Sequence, residues 1–450
     1  MDFDFLKFFD ACDPSRTLII GNQEDRQYYT DFASVRGGKL IELVKRTILL
    51  KARTNQPTCQ LFTGHIGCGK STELRRLQSD LEAQGFHVVY FESTEDLDVA
   101  DVDISDIFLA IIRLVTENLE KVNINIKPSY FQGIFNELAD FLQTPIDSYE
   151  GELALPMGLG KLTAKTKESP KLRSRLRQYL EPRTSNILEV LNKDVLGIAT
   201  EKLKQQGKQG LVVIIDNLDR IDNRSVHGNR TQPEYLFVDR GEQLRQLNCH
   251  VVYTIPLVLF FSNDYQALTN RFGGGVKPHV LPMVPALNRD QSDHDQGLAL
   301  LRQMVMARAF PEIGAEQSLD HILKIFDHPD TLDRLCRISG GHIRTLLGIL
   351  YRCLQEDDPP ISRDCLERAI REHRDGLTLG ITDDEREILH KVIQQQTVRG
   401  EANHQTLVRS LLVFEYYDEQ GRWFDINPAL RETEKFRQFH EKSSLLSPSS

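Results

Sequence analysis

Apolar and polar positions alternate along the chain in two periods, and the changes of period mark out its elements. Leu74, Leu77 and Leu81 recur at helical spacing, so residues 71–84 are expected to form an amphipathic helix that Gly85 stops. Short apolar runs punctuate such helices at 59–62, 86–91, 211–215 and 250–255, with 276–284 as a fifth strand. Strands separated by helices predict an α/β fold, a parallel sheet with helices on both faces.

The same pattern divides the chain. Residues 1–50 read as an N-terminal helical segment: a short helix, a polar loop and an amphipathic helix over 39–50. The strands fall within a core at 51–290, interrupted at 101–209 by an insertion that opens with a helix over 104–119 and carries a Gly/Pro-bearing stretch at 144–170. From residue 292 the periodicity is helical only, which predicts an α-helical lid over 291–380. A helix over 383–396 opens a terminal domain at 381–442. Its end, 413–417 and 422–426 about a turn at Glu419-Gln420-Gly421, is a hairpin signal, with Trp423 expected in the hairpin core. Helices followed by a hairpin predict a winged-helix-like domain, and 443–450 reads as a disordered tail.

Composition narrows the class. Forty per cent hydrophobic and 27% charged residues suit a soluble protein. The apolar runs, 211–215 among them, fall far short of a membrane span, and the acidic N-terminus lacks the basic start of a secretory signal. Seven cysteines form no CxxC pair, which points to free thiols in a reducing, cytoplasmic setting.

A net charge of −10 argues against a chain coated in nucleic acid. One stretch runs the other way: Lys161, Lys165, Lys167, Lys171, Arg173, Arg175, Arg177 and Arg183 lie close together. They form either a solvated helix face or a contact for a phosphate backbone or an acidic partner. The terminal domain carries twelve acids against nine bases, so DNA binding by its wing is not favoured.

The chemistry begins at Gly64-His65-Ile66-Gly67-Cys68-Gly69-Lys70-Ser71, which fits GxxxxGK[ST] between a strand and a helix. Glycines let backbone N–H groups turn inward around a phosphate, and the helix start favours the same anion. Lys70 is placed for the β- and γ-phosphates, Ser71 for Mg²⁺, and Thr72 lies beside them, so the ligands expected are ATP and Mg²⁺. The apolar strand 211–215 ends in Asp216, the Walker B pattern, where a carboxylate at the sheet's C-terminal edge can hold the metal shell. Many ATPases place a glutamate next; here it is Asn217, which can orient water but cannot accept a proton. Asp219 is then the substitute base.

Together these motifs resemble the AAA-related P-loop ATPases, both the STAND and KAP-like signalling ATPases and the Orc/Cdc6-type initiators. The likeness extends over about 36–438. It implies that Thr254, in the strand 250–254, is a polar sensor for the γ-phosphate. It also implies that Arg271, in Asn270-Arg271-Phe272, serves a neighbouring subunit's site, and that Arg344, in Gly340-Gly341-His342-Ile343-Arg344, is a sensor at the start of a lid helix. Asn217 departs from the pattern and implies slow hydrolysis. Three functions follow. The leading one is an ATP-controlled switch acting on a protein partner or through self-association. The others are a DNA-associated initiator- or loader-type ATPase and a nucleotide-binding scaffold that does not hydrolyse.

Overall fold

The computed structural model describes residues 3–126, 170–226, 230–273 and 277–437. The stretch 144–169, Lys161, Lys165, Lys167 and the tail 443–450 lie outside these residues.

Five parallel strands form the sheet: β1 Cys59–Gly64, β2 His87–Glu92, β3 Leu211–Asp216, β4 His250–Thr254 and β5 His279–Leu281, in the order β2-β3-β4-β1-β5. Pairing is in register, with Val89 opposite Val213 and Val213 opposite Val251. Successive side chains on a strand point to opposite faces. Val89, Val213 and Val251 on one face and Val88, Val212 and Val252 on the other are all buried, so both faces are covered. The strand expected over 276–284 is shorter, His279–Leu281, because Pro278 and Pro282 bracket it and neither has an N–H for the ladder.

The chain divides into two compact units. One comprises Ile41–Thr63 and Leu77–His279 and holds most of the sheet. Its helix Ile104–Glu120 buries Ile107, Phe108, Ile111 and Val115 and starts from a capping box of Asp103 and Asp106. The helix Pro170–Leu180 carries Lys171, Arg173, Arg175 and Arg177 of the basic stretch, and two of its arginines face inward. Arg173 pairs with Asp98 and Asp101, and Arg177 pairs with Asp101 at 2.6 Å and approaches Asp103 and Asp106. For these two residues the acids, not an external phosphate backbone, account for the charge.

The other unit comprises Met1–Leu40, Gly64–Arg76 and Val280–Ser450. Its core joins Phe8 and Phe32 to the helices Asp295–Ala309, Pro329–Ile338 and Ile343–Glu356 through Leu301, Leu335 and Leu350. The terminal helices Asp383–Gln395 and Ala402–Arg409 are followed by the antiparallel hairpin β6 Val413–Asp418 and β7 Gly421–Ile426, the winged-helix-like arrangement expected. Trp423 is buried in that hairpin and stacks on Tyr416 at 4.6 Å.

Candidate functional site

The glycine loop emerges from β1 and leads directly into the helix Lys70–Ala83, so strand, loop and helix stand as the motif requires. Gly67 and Gly69 occupy left-handed backbone, at φ 85° and 100°. A Cβ on Gly67 would lie 2.6 Å from His342 Nε2, whereas at Gly69 the nearest atom, an Arg36 Nη1, is 4.0 Å away. The loop is therefore closed off at Gly67 and open at Gly69. Lys70 is buried and donates to the carbonyls of Gly64 at 2.9 Å and His65 at 2.7 Å. Cys68 is buried, with its Sγ 3.7 Å from the Leu281 carbonyl. Ser71 and Thr72, in the first turn, and Ile66 are partly exposed.

Four residues outside the motif brace this loop. Arg36 is buried and its guanidinium donates to the Cys68 carbonyl at 2.8 Å; burial lowers its pKa. His342 Nε2 meets the Ile66 carbonyl at 2.7 Å, so this nitrogen carries the proton, and Nδ1 accepts from the Thr345 hydroxyl at 2.6 Å. The backbone N–H of Arg344 donates to the Gly67 carbonyl at 3.2 Å, which sets the backbone of Arg344 against the phosphate loop. On its other side, His65 Nε2 accepts the backbone N–H of Glu415 at 3.0 Å. Burial keeps both histidines neutral: His65 is pushed down to about 3, helped by His342 and Lys70, and His342 to about 4. The carboxyl of Glu415 is pushed up to about 7 by burial, against the pull of Arg422 at 2.8 Å.

The acidic strand end belongs to the other unit. Asp216 is fully buried; its Oδ2 accepts the Tyr90 hydroxyl at 2.6 Å and its Oδ1 the N–H of Asn217 at 2.7 Å. Asn217 is left-handed, at φ 64°, which asparagine tolerates better than most residues, and its Nδ2 donates to Glu92 Oε2 at 3.0 Å. Asp219 lies one step further, buried in the 3₁₀ turn Leu218–Arg220. Thr254 is buried and braces that turn: its hydroxyl accepts the Leu218 N–H at 2.9 Å and donates to the Ile215 carbonyl at 3.3 Å. Arg271 is partly exposed on the helix Tyr265–Gly273 and donates to the Val238 carbonyl. The glycines 274–275 that follow it lie outside the described residues.

Sequence reasoning missed Glu92, Tyr90, Arg36 and Glu415. Each acts through a partner distant in sequence, and no local spacing signals it. The donors present fit a phosphate chain: loop N–H groups at a helix start, the Lys70 ammonium and the nearby Arg36 guanidinium. Among the described residues no helix is long and apolar enough to cross a membrane.

No family model matches the sequence, and no curated protein matches it. The fold is similar to several solved structures. One is the ORC2 protein of Aeropyrum pernix in ADPNP and ADP complexes, 13% identical over 90% of this chain and 94% of that one, with a TM-score of 0.40. Another is Cdc6p from Pyrobaculum aerophilum, 12% identical over 96% and 98%, at 0.40. A third is Drosophila ORC bound to DNA, 10% identical over 97% and 91%, at 0.39. At this distance any activity must be carried by the chain's own residues.

Proposed function

We propose that this chain binds ATP with Mg²⁺ through residues 64–72, hydrolyses it slowly, and passes its nucleotide state to the lid and the winged-helix-like domain. One observation carries the reading. Within a single compact unit the phosphate loop is hydrogen-bonded to the lid, through His342 and Arg344, and to the hairpin, through His65 and Glu415. A loop that must change its contacts when an anion enters has two domains on its carbonyls and imidazole, and that is the wiring of a switch.

Each residue's task follows from its chemistry. The loop N–H groups and Lys70 bind the phosphates, and Arg344 couples their charge to the lid. Ser71 would contribute a hydroxyl to magnesium at the loop, which when bound supplies positive charge to the phosphate oxygens, and Asp216 is a candidate metal ligand within its own unit. Asn217 cannot take a proton, which makes turnover slow, and Asp219 is the candidate base. Thr254 holds the turn that carries Asp219, and Arg271 is the candidate for a neighbour's site if copies assemble.

A second reading has its own observation. The domain wired to the loop is two helices and a β-wing, an arrangement that can enter a DNA groove, so the output can be DNA. Steady-state ATP hydrolysis with and without duplex DNA separates the two. Slow turnover indifferent to DNA supports the protein-directed switch. Turnover that rises several-fold supports the DNA-associated ATPase.

A further inference from the structure

Three successive carbonyls of the phosphate loop are each held by a donor from outside the loop. The Ile66 carbonyl accepts from His342 Nε2 at 2.7 Å, that of Gly67 from the Arg344 N–H at 3.2 Å, and that of Cys68 from Arg36 Nη2 at 2.8 Å. All three donors belong to the same compact unit as the loop. A peptide group is planar and trans, so fixing its carbonyl on one side turns the following residue's N–H to the other. The N–H groups fixed in this way are those of Gly67, Cys68 and Gly69. Cys68 turns its own back into the loop, onto the His65 carbonyl at 3.3 Å. The N–H groups of Gly67 and Gly69 have no acceptor among the described residues, and both glycines hold left-handed backbone, at φ 85° and 100°. Backbone N–H groups presented by such turns bind anions.

Arg36 is the less ordinary of the two side-chain donors. It is 4% exposed, its Nε has no partner, and it forms no ion pair among the described residues. The acids around it are engaged elsewhere: Asp31 with Arg76 at 3.1 Å, and Glu73 with the Tyr29 hydroxyl at 3.1 Å and Arg76 at 3.8 Å. A buried cation without a carboxylate is costly to hold out of water, and a bound anion offsets that cost. Arg36 Nη1 also lies 4.0 Å from where a Cβ on Gly69 would stand, on the open side of the loop.

We propose that Arg36 and His342 are positioning residues for the nucleotide's phosphates, Arg36 orienting the Gly69 N–H through the Cys68 carbonyl and His342 orienting the Gly67 N–H through the Ile66 carbonyl. A donor on a carbonyl also polarises its peptide, which strengthens the N–H on the far side. At Gly69 the donor is charged, so the effect is larger there. One device comes from the N-terminal segment and the other from the lid, so each glycine reports on its own donor.

The inference rests on the ATP-binding reading, and its test tells the two failures apart. Full-length protein labelled at the glycine nitrogens is titrated with Mg²⁺ and ATP. Calorimetry gives the affinity, NMR the Gly67 and Gly69 amide proton shifts, and denaturant midpoints the stability. The proteins are wild type, Arg36→Ala, Arg36→Lys, His342→Ala and His342→Gln. In wild type both amide protons are expected to move downfield as they donate to phosphate oxygens. Arg36→Ala is expected to lose about half or more of the Gly69 movement, to keep that of Gly67, and to bind ATP at least about 10-fold more weakly. Arg36→Lys keeps a charged donor and should return to within about threefold of wild type. His342→Ala should show the mirror result, with its loss at Gly67, and His342→Gln, which keeps an N–H donor, should recover. Should an alanine variant fail to fold, Arg36→Met or His342→Phe, which keep bulk and lose the donor, take its place with the same expectations. A purely structural role would lower the midpoint and leave both amide movements as in wild type, and that result overturns the proposal. So do equal losses at both glycines in each variant, wild-type ATP affinity in a folded Arg36→Ala, or a wild type that binds ATP with neither amide moving. Wild type with no affinity for ATP removes the ATP-binding reading itself.

Discussion

The backbone N–H of Glu415 donates to Nε2 of His65 across 3.0 Å, though 350 residues separate them. One is a loop residue of the phosphate motif, the other a residue of the hairpin. A buried N–H that loses its acceptor costs roughly 1–3 kcal/mol. His65→Ala is therefore expected to lower the melting temperature and to speed amide hydrogen exchange in 413–418. In wild type, adding Mg²⁺ and ATP is expected to change exchange in that strand. In His65→Ala the nucleotide response of the strand should be smaller. An identical response in both would cut the wire.

Glu415 gives a pH dependence with a definite sign. Its folded pKa, about 7, is raised above the ordinary 4.5, so the folded state holds a proton that the unfolded chain has released between these values. Stability from this group is full below pH about 4.5 and declines as pH rises to about 7. Glu415→Gln removes that decline. The stability difference between variant and wild type is expected to grow in the variant's favour from pH 5 to 8, by on the order of 2–3 kcal/mol. His65 and His342 act in the opposite direction, losing stability as pH falls toward their lowered values, but they are common to both proteins and cancel. Parallel denaturant midpoints across this range would contradict the assignment.

Gly67 stands where a side chain has no room. Its φ is 85°, and a Cβ would meet His342 Nε2 at 2.6 Å and the Arg344 Cβ at 2.9 Å. Gly67→Ala is expected to destabilise by roughly 1–3 kcal/mol in chemical denaturation and to weaken nucleotide binding, since the loop must shift away from the lid. Wild-type stability in the variant would show that the lid contact is dispensable.

Arg173 is buried and paired with Asp98 and Asp101. Arg173→Ala is expected to cost roughly 1–3 kcal/mol of stability, because the acids stay behind partly shielded from water. It should leave affinity for duplex DNA, if any is found, unchanged in its salt dependence. A lower salt slope in the variant would make this arginine a phosphate contact instead.

What the sequence made legible is what is local. Gly64 to Ser71 is readable because the strand before it, the glycine spacing and the helix after it lie in one stretch, and Leu74, Leu77 and Leu81 declare that helix. Trp423 in the hairpin followed from the alternation about a Gly turn. Arg344 against the loop was reached by resemblance, not by spacing. Glu92 was out of reach because its partner Asn217 is 125 residues away and the register of β2 on β3 is a tertiary fact. The basic stretch misled in part because charge along a sequence says nothing of Asp98 and Asp101, which lie some seventy residues earlier and neutralise Arg173 and Arg177. The fifth strand was drawn too long where Pro278 and Pro282 had already set its limits.

The central claim is that residues 64–72 bind ATP, and calorimetric titration of Mg²⁺ and ATP into wild type and Lys70→Ala tests it most directly. Lys70 is buried with its ammonium folded onto the loop. Removing a charge-assisted contact of roughly 2 kcal/mol should weaken binding at least about 30-fold. A folded Lys70→Ala variant with wild-type affinity, or a wild type that binds no ATP, would contradict the account.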